Sequence, residues 1–164
     1  VLFYLNKILY FTVCLFFVFK ANSLEIECKF EEVYSDSSVQ QGLFLLKNQQ
    51  LRYQYFDKNL YTILKKKDNF YLVQNSDFEN FQKIPEEKTT LLNKITEIAS
   101  DYPNINHYYQ SDQILIKLEM NEDNFFKRIA IISDELSMSI FINDCENKKI
   151  EKRLFNFFPF YQYP

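Results

Sequence analysis

Glycine is almost missing from this chain of 164 residues: Gly42 stands alone, and there is no tryptophan at all. A single glycine leaves no phosphate-cradling loop of the glycine-rich kind, which needs several close backbone approaches. One histidine, His107, and three cysteines stand at none of the usual spacings of a zinc centre. The same scarcity removes Ser/His/Asp and Cys/His arrangements, since His107 reads as a strand residue beside a turn. Charge of one sign is lacking too. With 19 Lys and Arg against 22 Asp and Glu, the formal net charge of −3 gives no electrostatic footprint for a nucleic acid. Carboxylates are numerous, but they alternate outward along strands or sit in turns, and nothing singles out a glycosidase-like pair. The expectation is a protein without catalytic residues, metal or cofactor.

Aromatic residues are what the chain has in excess, with 18 Phe and 12 Tyr. AT-rich codons account for part of this, since Lys, Asn, Ile, Phe and Tyr all rise together. An apolar cavity accounts for the rest. Near the front, Lys7 precedes an apolar run from Ile8 to Phe19, followed by Lys20, Ala21, Asn22 and Ser23. A positive start, a short apolar stretch and an Ala-x-Ser end predict a signal peptide over residues 1–23, cleaved near Ser23, the alternative being an uncleaved anchor. The run is shorter than the about 20 residues a bilayer span needs. Residues 24–164 are then one domain of about 140 residues, large enough to bury roughly two-thirds of its unfolded surface. Cys28 and Cys145 remain in it. An even count in an exported protein permits a disulfide between them; the alternative is a buried apolar Cys28 and a loop thiol at Cys145.

The domain reads as strands. Leu24 to Phe30 alternates apolar and charged residues, and Glu31-Glu32 then shifts the phase as a bulge or strand end does. After a turn at Ser35–Ser38, the segment Gln41–Tyr55 reads as a hairpin about Lys47-Asn48-Gln49-Gln50, with Leu51, Tyr53 and Tyr55 on one face of its second strand. Gly42 in its first strand marks a bulge, bend or close backbone approach. Strands follow at Leu60–Leu64, Phe70–Val73 and Phe78–Ile84, with Lys65–Asn69 as a solvated turn. Pro85 to Asp101 changes period: Leu91, Leu92, Ile95, Ile98 and Ala99 recur at helical spacing, and Pro103 stops the helix. Strands resume at His107–Gln110, Ile114–Met120, Phe126–Ile132 and Met138–Ile142, and Lys148–Phe157 is expected to close the sheet. The fold class is mainly β: a single strongly curved antiparallel sheet, an unclosed β-barrel, with an amphipathic helix over its open side.

The hairpin carries a resemblance. Gly42, Phe44, Lys47, Leu51, Arg52 and Tyr53 stand in the order found in the signature hairpin of LolA-type periplasmic carriers of outer-membrane lipoproteins. The closing Leu154–Pro159 resembles that family's last strand, a Phe-x-Phe stretch before proline. Four departures stand out: Asn48-Gln49 replaces the family's Arg-Pro in the turn, the turn is shorter by one residue, the first strand starts almost at the expected cleavage site where the family has a helix before it, and the C-terminal half is shorter. The resemblance implies a LolA-like fold and a non-enzymatic chaperone, a monomer that binds acyl chains in an apolar cavity under a movable lid helix. Its partners would be acylated lipoproteins, an inner-membrane ABC release complex and an outer-membrane acceptor. Cavity residues are expected at Phe44, Leu46, Tyr53, Tyr55, Ile63, Tyr71 and Val73, with Leu91, Ile95 and Ile98 from the helix. Lys47 and Arg52 match the family's basic positions; Arg52 either holds the helix end in place of the missing turn arginine or points outward from its strand. The rival reading is an envelope module that senses a lipid or lipoprotein without transporting it.

Overall fold

The computed structural model describes residues 25–101, 104–111, 114–122, 125–134 and 136–158; the expected signal peptide, the Pro103 helix stop and the end of the Phe-x-Phe-Pro stretch lie outside the described residues. One antiparallel sheet of ten strands dominates, and it is not closed. Its strands are β1 (Glu25–Tyr34), β2 (Val39–Lys47), β3 (Gln50–Tyr55), β4 (Tyr61–Lys66), β5 (Asn69–Gln74), β6 (Asp77–Lys83), β7 (Tyr108–Gln110), β8 (Ile114–Met120), β9 (Phe126–Ser133) and β10 (Ser137–Asn147). A 3-10 turn at Glu86–Lys88 and a helix α1 (Thr90–Ser100) lie between β6 and β7. The spatial order is β6-β5-β4-β3-β2-β1-β10-β9-β8-β7. Two meanders therefore meet at the pair β1 and β10, and the segment carrying α1 links the two outer edges.

Short turns set the register of the first meander. Asn48 and Gln49 both have positive φ, 47° and 66°, the backbone of a two-residue primed turn whose twist suits a hairpin. The β4–β5 turn is as tight, with Lys67 at φ 55°, so Lys65 and Lys66 belong to β4 rather than to a long solvated turn. The phase of β1 does not break at Glu31-Glu32. Residues 26, 28, 30, 32 and 34 keep one parity to the strand end, and Glu31 and Glu32 pair in register with both neighbours. The irregularity lies elsewhere: Asp144 and Cys145 of β10 oppose Cys28 alone, with Asp144 at φ 50°, a bulge. At this bulge Cys28 and Cys145 form a disulfide between the first and last strands.

Each face of the sheet has its own cover. On one face Ile26, Cys28 and Phe30 cluster with Ile116, Leu118, Ile131, Ile140 and Ile142, and Ile98 of α1 joins them. On the other face Leu43 and Leu45 are covered by Ile150 and Phe155. The expectation of a closing strand over Lys148–Phe157 is thus overturned. The chain leaves the sheet after Asn147, forms a 3-10 turn at Lys152–Phe155 and lies across the outer face of the first meander. The physical reason is that β10 already has β1 and β9 as neighbours, while Leu43 and Leu45 need apolar cover. Gly42 is where the chain needs a missing side chain. A Cβ there would fall on the Gln54 carbonyl oxygen and on the Phe30 ring, which lies over the glycine.

Candidate functional site

A cavity of about 280 Å³ lies between α1 and the inner face of the sheet. Its walls come from β1 to β4 on one side, from β8 to β10 on the other, and from α1 across the mouth. In a flat sheet β4 and β8 would stand about 29 Å apart at about 4.8 Å per strand. A single cavity lined by Ile63 of β4 and Ile116 of β8 therefore requires the sheet to curl. The lining is apolar except at Glu32, Thr96 and three tyrosine hydroxyls.

The helix sits here because its sequence is two-faced. Leu91, Leu92, Ile95, Ile98 and Ala99 line the cavity, while Lys94 and Glu97 form an exposed ion pair at 3.0 Å on the far side. Thr96 is buried among the apolar residues and solves its polarity locally: its hydroxyl reaches the carbonyl oxygens of Leu92 and Asn93. Lys65 of β4 donates to the same Thr96 hydroxyl oxygen at 3.1 Å, a direct polar tie between sheet and helix. Lys94 lies over the Tyr109 ring at 5.0 Å, a second tie, to β7.

Of the residues expected at the cavity, Phe44, Leu46, Tyr53, Tyr55, Ile63, Leu91, Ile95 and Ile98 all line it. Tyr71 and Val73 do not. They share the opposite parity of β5, where Val73 pairs with Thr62 and Tyr71 meets the ring of Phe157 at 5.1 Å. The inward residues of β5 are Phe70 and Leu72, which pack with Ile63 and Leu92. Lys47 and Arg52 also face away from the helix. Lys47 donates to the Ile150 carbonyl and pairs with Glu25 at 3.0 Å. Arg52, 2% exposed, donates through Nη1 to the carbonyls of Leu154 at 3.1 Å and Asn156 at 3.2 Å. Of the two readings of Arg52, the lock on the helix is overturned and the outward one holds: both cations pin the C-terminal segment to the outer face. Parity decides this, because Arg52 alternates with the cavity-facing Leu51 and Tyr53.

The strongest polar feature of the cavity was not foreseen. Glu32 is 2% exposed and lines the cavity. Its carboxylate accepts hydrogen bonds from the hydroxyls of Tyr34 at 2.6 Å, Tyr53 at 2.7 Å and Tyr55 at 2.9 Å. Phe30 stacks on Tyr53 with ring centroids 3.9 Å apart and meets Tyr55 edge-on at 5.5 Å, so the rings hold one another. Burial, reinforced by the neighbouring carboxylate, pushes the Tyr34 hydroxyl up to about 12. Burial and the Glu32 charge also raise Tyr53 and Tyr55 well above the ordinary phenol value. The signal in the sequence is slight: the parity of Ile26, Cys28 and Phe30, carried on, puts Glu32 and Tyr34 inward, with tyrosines at matching parity in β3.

Among the described residues no group of His, Cys, Asp and Glu is placed to hold a metal ion, and no helix is long and apolar enough to cross a membrane. Compared with models of known protein families and with characterised proteins, the chain matches none of them.

Proposed function

We propose that this protein is an exported carrier of acyl chains, akin to the LolA-type lipoprotein carriers. In this reading it works in a periplasm, takes acylated lipoproteins from an inner-membrane ABC release complex, and passes them to an outer-membrane acceptor. The observation that carries the reading is the apolar cavity roofed by an amphipathic helix. The energetics suit a shuttle. Lifting α1 exposes Leu91, Leu92, Ile95 and Ile98, which at about 1.5 kcal/mol each costs on the order of 6 kcal/mol. About eight methylenes of an incoming chain, at about 0.8 kcal/mol each, offset that. Loading and release are then close to balance. A cavity of about 280 Å³ is at the lower end for ligand sites. Cargo with more than one chain therefore needs the helix to move outward. The polar ties that would have to break are those from Lys65 and Lys94 rather than from Arg52.

The test is native mass spectrometry of the protein purified from a periplasm. A one-to-one lipid or lipoprotein adduct that is lost in the Leu91→Glu/Ile95→Glu variant is the expected result. A clean unliganded mass after incubation with lipoprotein and release complex overturns the carrier and leaves a sensing module.

A further inference from the structure

The cavity is not uniformly greasy, and its one buried carboxylate is placed to read a head group. Glu32 accepts three phenol hydrogen bonds and lies within the cavity lining, and among the described residues no lysine, arginine or histidine forms an ion pair with it. Three donors leave part of the acceptor capacity of two carboxylate oxygens open. Ionised, the group brings a negative charge into an apolar space, where an unmatched charge is costly. The tyrosine hydroxyls spend their donors on the carboxylate, so what they leave toward an incoming group is oxygen lone pairs, acceptors like the carboxylate itself.

The site also has an outer side. Tyr34 and Tyr55 wall the cavity off from a surface depression of about 420 Å³ that contains Asp36. The Asp36 carboxyl is held below its ordinary range by hydrogen bonds from Ser38. A head group at Glu32 is thus flanked by acids on both sides of the tyrosine wall, with no described cation between them. An anionic head, carboxylate or phosphate, would be repelled there. A neutral hydroxyl would find an acceptor and no charge to gain.

We infer that the cavity selects amphiphiles whose apolar chain ends in an ammonium group, the chain lying under α1 and the ammonium meeting Glu32 within the Tyr34, Tyr53 and Tyr55 ring. This rests on the acyl-chain reading of the cavity and adds the chemistry of the head. The ammonium has two possible sources, an amine-headed lipid or the free amino terminus of an acylated protein.

The experiment is calorimetric titration of the whole protein with dodecylamine, dodecyltrimethylammonium, dodecanol and dodecanoate, each below its micelle concentration. The expected order is both ammonium compounds tighter than dodecanol by about tenfold to a hundredfold, with dodecanoate weakest. Glu32→Gln should remove that preference, bringing the ammonium compounds down to the affinity the same variant shows for dodecanol. Equal affinity for all four, or a preference for dodecanoate, overturns the inference while leaving the apolar cavity standing. No binding of any of the four overturns the inference and the acyl-chain reading together. The wild-type order decides the matter even where Glu32→Gln fails to fold. A cysteinyl peptide carrying an S-dodecyl chain, compared with its N-acetyl twin, assigns the source. A free-amine preference points to acylated protein, and indifference with a retained dodecylamine preference points to lipid.

Discussion

Replacing Gly42 by alanine is the most economical probe of the inner face. Glycine to alanine in an extended strand, at a φ that is not positive, ordinarily gains about 0.4–1 kcal/mol by restricting the unfolded chain. Here the new methyl meets two obstacles. The Gln54 carbonyl oxygen is backbone of β3 and is fixed by the β2–β3 ladder; the Phe30 ring is wedged against Tyr53 and Tyr55. Overpacking of this kind costs about 1–3 kcal/mol. The net expectation is destabilisation by about 1–2 kcal/mol, which lowers the melting temperature by about 3–7 °C in a domain of this size. Phe30→Leu removes the ring but not the carbonyl, so the double variant should recover part of the loss. The coupling in a double-mutant cycle of urea unfolding should be about 1 kcal/mol, with some cost remaining. A Gly42→Ala protein as stable as the parent would refute the close approach. A cycle with no coupling would show that Phe30 does not lie over the glycine.

Three other outcomes follow from the described contacts. The Cys28–Cys145 bridge spans a sequence separation of 117, and on chain-entropy grounds its loss should cost about 2–5 kcal/mol, read as a lower urea midpoint in reductant; an unchanged midpoint would count against the bridge. Arg52→Met should loosen the segment at 150–158, seen as faster amide exchange there and easier cleavage, while ligand binding under α1 stays as it was; slowed exchange or lost binding would contradict its place on the outer face. For the phenols, folding favours the protonated form, so the folded state binds more protons than the unfolded one at alkaline pH. The stabilisation from Tyr34 should be whole below pH 10.0 and disappear as pH rises through about 12, and Tyr34→Phe should flatten that part of the urea-midpoint curve; a decline already complete at neutral pH would refute it.

What the sequence made legible depended on whether one face of an element is polar. In β3, Arg52 and Gln54 alternate with Leu51, Tyr53 and Tyr55, and the inward set reads directly. In α1, the spacing of Leu91, Ile95 and Ile98 against Lys94 and Glu97 does the same. β5 offers no such contrast, because Phe70-Tyr71-Leu72-Val73 is apolar on both sides. Both sides are in fact covered, Leu72 toward Leu92 of the helix and Tyr71 toward Phe157 of the C-terminal segment. Its parity is therefore open in the sequence, and the expectation of Tyr71 and Val73 in the cavity falls on the wrong face. The same logic misled at Leu154 and Phe155, whose apolar character serves packing on the outer face and not pairing in a ladder. Glu32 failed for the opposite reason. A carboxylate at an inward position breaks the alternation rule, and only the tyrosines of other strands make its burial tolerable. The tie from Lys65 to Thr96 joins residues far apart in sequence, where no local pattern reports it, and the disulfide was legible only as one of two readings open to an even pair of cysteines.

The meeting of β1 and β10 at the middle of the sheet has a bearing on the order of assembly. The strand that β1 needs on its second side comes at Ser137–Asn147, after every other strand has been made. Contacts of such long range are slow to form, because the intervening chain must be gathered first. Until then the nascent molecule holds two half-sheets, and β1 and β9 each present a row of unsatisfied backbone groups. A bare strand edge of that kind pairs as readily with a second copy as with its own distant partner. Order of synthesis thus runs against order of pairing, and the interval before the last strand arrives is when this chain is most exposed to misassembly.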